Sequence, residues 1–368
     1  MVNMRELFAF DRIGSQEMER VPLTVSERAT SLLQEGDLLF ARQSLVREGA
    51  GRVVIVERGP ERTWEGHLIR VLLDRNKAVP RYYYYYFRSP AGRAQIESIV
   101  EQVAAAGIRG SDLGHLRVPV PALHRQRAIA EVLGALDDKI ECNNRLHDCS
   151  HNLAAALLAR VLGETEAEGT QSEGRLEDIA AVNVRKVEPA EGTLRYLDIS
   201  SVGVGRADEP ALMPWTEAPG RARRGVRNGD VLWSSVRPNR KSHCLVLDPP
   251  PDLVVSTGFA VLTPTKVGSS FLYGITEQPE FIGYLEAVAE GSAYPAVRAD
   301  RFLDAPVRLV PTGVLASYEE ETMPLRRRAT TALSETRSLT HLRDTLLPRL
   351  LSGELRVRDA EAAVEAVA

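Results

Sequence analysis

Two short stretches of this chain carry side chains suited to reading nucleic acid. Ser234-Ser235-Val236-Arg237-Pro238-Asn239-Arg240-Lys241 combines donors for base edges, Arg for guanine and Asn for adenine, with Lys and Ser suited to phosphate. Arg42-Gln43-Ser44-Leu45-Val46-Arg47 offers the same chemistry at the equivalent place after an apolar run. The candidate contacts are therefore Arg42, Gln43, Ser44 and Arg47 in the first stretch, and Ser234, Ser235, Arg237, Asn239, Arg240 and Lys241 in the second. Four more cations, Arg221, Arg223, Arg224 and Arg227, suit phosphates, and between Arg221 and Lys241 the single acid is Asp230. If each of the four neutralised one phosphate, replacing them would flatten the salt dependence of binding by roughly 3.6, at about 0.9 per contact. The net charge of −4 argues against coating nucleic acid by bulk electrostatics, so contact must come from local clusters.

Bond-making chemistry is not legible. Asp248-Pro249-Pro250-Pro251 is similar to the Asp-Pro-Pro-Tyr-type loop of amino-methyltransferases, but its last position lacks the aromatic ring that would stack a target base. No Gly-x-x-x-x-Gly-Lys phosphate loop and no Gly-rich cofactor loop after an early strand are present. The three cysteines, Cys142, Cys149 and Cys244, lack metal-binding spacing; Cys142 and Cys149 are read as reduced thiols packing one helix face. The chain is thus expected to be no enzyme, with no metal or cofactor of its own. Tyr82 to Tyr86 could stack on unpaired bases. In a helix, however, five consecutive rings point all around the axis, so packing is the better use.

What must position these residues is built twice. Gly36-Asp37-Leu38-Leu39-Phe40 recurs as Gly229-Asp230-Val231-Leu232-Trp233, Val120-Pro121 as Val310-Pro311, and Gly163-Glu164 as Gly353-Glu354, at offsets of 193, 190 and 190. A near-constant offset across unrelated patterns indicates tandem duplication, and duplicated units suit a target with two halves. The Gly-Asp pairs themselves read as turns before a strand. At 368 residues, with 44% apolar and 26% charged content, the chain accommodates two globular units. It begins without a signal peptide's pattern and holds no run long enough to span a membrane, so the expected location is the cytoplasm.

The predicted architecture is α+β: two globular domains and two long antiparallel helices forming a coiled coil. Residues 1–118 read as the first domain, 119–163 as a long helix ending at Gly163, and 164–175 as an acidic linker. Residues 176–311 read as the second domain, 312–357 as a second long helix with a kink expected at Pro348, and 358–368 as a frayed tail. Ile129, Leu133, Leu136, Ile140 and Asn143 are spaced 4, 3, 4 and 3, the alternation of a coiled-coil seam on which a polar residue selects register. Leu146, Leu153, Leu157 and Val161 extend that face. Leu325, Ala329, Ala332, Thr336, Leu339, Leu342, Leu346 and Leu350 form the opposing seam. Each helix spans on the order of 60 Å, a rigid spacer between the domains.

These landmarks resemble the specificity subunit of type I restriction-modification systems. The match lies in the two Gly-Asp turns, Ser111-Asp112-Leu113-Gly114-His115-Leu116-Arg117-Val118-Pro119-Val120-Pro121, Gln126-Arg127-Ala128-Ile129-Ala130-Glu131-Val132-Leu133 and Leu136-Asp137-Asp138-Lys139-Ile140-Glu141-Cys142-Asn143. Leu342-Arg343-Asp344-Thr345-Leu346-Leu347-Pro348-Arg349-Leu350-Leu351-Ser352-Gly353-Glu354-Leu355 completes it. The resemblance implies two target-recognition domains, each reading half of a bipartite site in double-stranded DNA, with the helices setting the gap and docking two methyltransferase (modification) subunits. Those partners use S-adenosylmethionine to methylate adenine, restriction subunits use ATP and Mg, and the specificity subunit itself performs no chemistry. One departure stands out: 53 residues separate Leu176 from Gly229 but only 35 precede Gly36, so the first domain reads as about 18 residues short at its opening. A stand-alone duplicated DNA-binding regulator, or an inactive truncated specificity subunit, is the alternative.

Overall fold

A computed structural model describes residues 1–102, 105–291 and 294–365. The chain resolves into two α+β units, one of residues 1–140 with 338–368 and one of residues 141–337. Each long helix, Leu123–Ala167 and Thr312–Ser352, therefore contributes to both.

In the first unit the central strand Leu38–Ala41 pairs antiparallel with Val53–Val56 and Leu68–Val71, and Arg12–Ile13 adds a parallel edge. Alternate residues of a strand point to opposite faces, and both faces here are covered. Leu38, Phe40, Val53 and Ile55 join the main core, while Leu39, Ala41, Val54 and Val56 join a second one with Val2, Leu7 and Ile13. Pro80–Arg88 forms a short helix with proline in its first turn, and Tyr82 to Tyr86 are all buried around it. The five tyrosines pack, as their all-round placement suggests. Tyr85 donates its hydroxyl to Asp137 Oδ2 at 2.7 Å, and Tyr83 donates to Pro119 O at 3.0 Å. Beneath them Ile129, Leu133, Leu136 and Ile140 share one core with Leu339, Leu342, Leu346 and Leu350. Arg343 bridges the two helices through Asp137 at 2.7 Å.

The second unit holds two four-stranded sheets. In one, Val231–Ser234 pairs antiparallel with His243–Leu245 and Phe259–Pro264, which in turn carries Ala180–Val182. In the other, Thr193–Leu197 and Leu253–Ser256 lie between Ala211–Pro214 and Ala222–Gly225. Leu253–Ser256 and Phe259–Pro264 are separated only by Thr257-Gly258, so one run of chain serves both sheets.

Other sequence expectations need correction. The first helix runs through Gly163 to Ala167, and Ser172–Arg175, assigned to a linker, is a strand paired with Pro306–Leu309. The helix Pro90–Glu97 is followed by a hairpin of Glu101–Gln102 and Ala106–Gly107. Val357–Glu365, expected to fray, is a helix whose Ala360 is fully buried, and 366–368 lie outside the described residues. In the second unit the helix faces differ from the apolar seam. Leu153 is exposed and Leu157 and Leu325 are half-buried; the seam's Asn143, Val161, Ala329 and Ala332 are buried, but so are His147, Ser150 and Ala154 on one helix and Tyr318, Thr322 and Arg326 on the other. Arg326 is matched in part by polar groups, Nη1 lying 3.1 Å from His151 Nδ1 and Nε 3.3 Å from Ser270 Oγ, while its buried Nη2 has no hydrogen-bond partner among the described residues. Cys142 and Cys149 are free and exposed, which corrects their reading as thiols that pack a helix face.

Candidate nucleic-acid interface

The duplication extends to single hydrogen bonds. Gly36 and Gly229 have φ of 86° and 87°, a conformation glycine adopts without a Cβ penalty. Asp37 Oδ2 accepts from Gln34 N at 2.8 Å, and Asp230 Oδ2 accepts from Arg227 N at 2.8 Å, so each aspartate closes the turn that launches the central strand. A side chain from the neighbouring strand holds each aspartate, Arg70 Nε at 2.7 Å in one unit and Thr263 Oγ1 at 2.7 Å in the other.

The loops that leave these strands also share a support. In the first unit Gln43–Ser44 pairs with Ala106–Gly107, the second arm of the hairpin described above. In the second unit Val236 bridges Ala296, which also bridges Glu290. Each candidate DNA loop therefore rests on a hairpin about 60 residues downstream, an association that sequence reading missed because the hairpins carry no strong strand pattern of their own.

The structure separates the candidate side chains. Arg42, Gln43 and Arg47 are exposed; Arg42 has no side-chain partner among the described residues, Gln43 Nε2 meets His67 Nδ1 at 3.1 Å, and Arg47 reaches Glu97 O at 3.4 Å. Ser44 Oγ accepts from Val46 N, shaping the loop. At the tip, Leu45 is 95% exposed. In the second unit Ser234 is buried and donates its hydroxyl to Val236 O, while Ser235 donates to Gly258 O at 2.7 Å. Both serine hydroxyls are thus engaged in fastening the loop to its strands. Asn239, Arg240 and Lys241 are exposed with no side-chain partner among the described residues, and Arg237 lies with its guanidinium over the Tyr294 ring.

Arg221, Arg223, Arg224 and Arg227 do not form one free basic face. Arg221 pairs with Asp198 at 2.8 Å, and Arg227 lies 3.6 Å from Asp230. Arg223 donates to Ala222 O, and Arg224 buries its Nε without a partner. Desolvation by burial lowers the pKa of Arg224.

Behind the second loop lies a polar cluster that the sequence did not reveal. His243 stacks on Trp233 with centroids 4.5 Å apart; its Nδ1 lies 2.7 Å from Lys241 O and its Nε2 2.7 Å from Glu277 Oε1. A backbone carbonyl can only accept, so Nδ1 donates to Lys241 O. Burial works to raise the Glu277 carboxyl, but His243, His151 and Arg326 outweigh it and hold it below its ordinary value. Burial also lowers His151, against Glu277 and together with Arg326. Cys244, fully buried, is pushed up to about 12 and is therefore an inert thiol. Among the described residues no cluster of His, Cys, Asp or Glu is arranged to hold a metal ion, and no helix is long and apolar enough to cross a membrane.

Residues 13–148 match the family described as the type I restriction modification DNA specificity domain. Over 112 residues the chain is 31% identical to the assigned type I restriction enzyme MjaX specificity subunit of Methanocaldococcus jannaschii, which covers 30% of this chain and 26% of that relative. By the family match the chain carries a type I restriction modification DNA specificity domain over residues 13–148. Its fold is shared with the type I restriction-modification system S subunit from M. genitalium, at a TM-score of 0.58 over 88% of this chain and 84% of that one, with 18% identity. The aligned stretch spans about a quarter of the curated relative's length, and the likeness to the solved S subunit is one of fold.

Proposed function

We propose that this chain is the non-catalytic DNA-reading subunit of a type I restriction-modification complex, each unit contacting one half of a bipartite site. The observation that carries this is the duplicated loop: in both units a Gly-Asp turn and central strand lead into an exposed basic segment braced by a hairpin. Phosphate contacts would come chiefly from Arg42, Arg240 and Lys241, whose charges have no internal partner among the described residues, and base contacts from Gln43, Arg237 and Asn239. The helix pair docks the methyltransferase and restriction subunits, which bring S-adenosylmethionine, ATP and Mg.

One observation favours a second reading, a stand-alone DNA-binding regulator. Leu153 is the one large apolar side chain exposed on the long helices among the described residues, so no apolar patch marks a docking face there. Co-expression with the cognate methyltransferase subunit, followed by genome-wide mapping of N6-methyladenine by long-read sequencing, separates the two. A bipartite motif with a fixed gap, seen only when this chain is present, supports the specificity subunit. DNA binding by the chain alone without new methylation would support the regulator.

A further inference from the structure

We propose that Arg237 and Tyr294 form one base-reading unit, in which the tyrosine ring holds the guanidinium plane so that its edge pairs with two acceptors such as O6 and N7 of guanine. The inference rests on the DNA-reading function above and assigns one position of one half-site to a named pair of residues.

The backbone sets the pair first. Arg237 and Lys241 have φ of 53° and 54°, a left-handed conformation that side chains beyond glycine rarely adopt. The surroundings over-determine it: Arg237 N donates to Pro295 O at 2.6 Å, Arg240 N donates to Arg237 O at 2.9 Å, and His243 Nδ1 donates to Lys241 O at 2.7 Å. Strain held this way marks a functional position more often than an accident of packing. The same bond to Pro295 ties Arg237 to the segment carrying Tyr294.

Side-chain geometry follows. The Arg237 guanidinium carbon lies 4.4 Å from the Tyr294 ring centroid. Stacking occupies one flat face of the guanidinium and leaves its donors, which lie in the plane, free. None of those donors has a protein acceptor among the described residues. Elsewhere in the unit the same chemistry is consumed internally: Arg326 stacks on Tyr273 at 4.5 Å but points its nitrogens at Ser270 and His151, and Arg221 points its own at Asp198. Tyr294 is 69% exposed, too open to serve the core. A pre-oriented fork loses less rotamer freedom on meeting its target, which suits the bidentate contact with guanine.

The test uses the chain co-expressed with its methyltransferase subunit, with methylation motifs mapped for wild type, Arg237→Lys, Tyr294→Ala and Tyr294→Phe. Arg237→Lys keeps the charge and loses the fork; Tyr294→Phe keeps the ring. The expected result is relaxation at one guanine of one half-site by about 5- to 150-fold in Arg237→Lys and Tyr294→Ala, the equivalent of about 1–3 kcal/mol. Tyr294→Phe retains the wild-type motif, and the other half-site is unchanged throughout. An unchanged motif in both Arg237→Lys and Tyr294→Ala overturns the proposal, as does a uniform drop at all sites, which would make Arg237 a phosphate ligand. No methylation by the wild-type complex would overturn the DNA-reading function itself, and the inference with it.

Discussion

Unpartnered and paired cations should differ sharply in what they contribute to DNA binding. Arg240 and Lys241 have no internal counter-charge among the described residues, so each can displace one condensed counterion from DNA. Replacing both by Gln should lower the slope of log K against log salt by about 1.8, from about 0.9 per phosphate contact. Between 50 and 200 mM salt that removes roughly a twelvefold part of the salt sensitivity. Arg221 and Arg227 begin from another state: Arg221 is paired with Asp198 and donates Nε to Tyr196 Oη at 3.1 Å, and Arg227 lies against Asp230 and donates to Pro264 O. A phosphate would have to compete with carboxylates already in place. Arg221→Gln with Arg227→Gln should therefore change the slope by less than about 0.9, the value of a single contact. The assay is fluorescence anisotropy of a labelled duplex carrying the mapped motif, titrated at several KCl concentrations, with thermal melting as the folding control. A larger change from the Arg221/Arg227 pair than from Arg240/Lys241 would refute the reasoning.

Two further predictions concern the supporting structure. Asp137 is buried and accepts from both Tyr85 and Arg343, so Arg343→Leu leaves a buried carboxylate short of its counter-charge and should cost about 3–5 kcal/mol in urea unfolding; a loss below about 1 kcal/mol would mean the pair is not buried in solution. His151 titrates below its ordinary value through burial, so the unfolded chain binds more protons just below about pH 6.5. Its stability contribution is then full above that pH and is lost as pH falls toward the folded value. The melting temperature should drop between pH 7 and 5.5 in wild type and drop less in His151→Gln; equal drops would remove His151 as the cause.

The sequence made the frame legible and the polar interior illegible, for physical reasons. Periodicity announced Ile129, Leu133, Leu136 and Ile140 against Leu339, Leu342, Leu346 and Leu350, because apolar burial leaves a 3.5-residue signature. In the second unit the rule held for Val161, Ala329 and Ala332, which are buried, but not for Leu153, which is exposed. Asn143, the polar seam position, is buried as well, and so are His147 and Ser150, which the alternation does not announce; His147 Nε2 meets Gly205 O at 3.3 Å, a partner 58 residues away that no local pattern encodes. Tyr85 with Asp137 and Arg343, and His243 with Glu277, were hidden in the same way: each joins positions dozens to hundreds of residues apart. Among the candidate contacts, residue type could not separate Ser234, whose hydroxyl is spent on Val236, from Lys241, whose charge has no partner among the described residues.

On the proposed function, the duplicated loops would let one scaffold address two different sequences. Everything that aims the loops is common to the units: the glycine at positive φ, the aspartate that caps the turn, the central strand and the bracing hairpin. The tips differ. At the shared offset Leu45-Val46 stands where Pro238-Asn239 stands, an apolar tip against a polar one. Apolar side chains can discriminate thymine by its methyl group, whereas Asn and Arg pair with the acceptor and donor edges of adenine and guanine. Aim and reading therefore reside in different residues. A substitution at Leu45 should change which bases are read while leaving the first unit's fold intact, since a side chain this exposed supports no core. A substitution at Asp37 should do the reverse, because its carboxylate holds both the turn and Arg70.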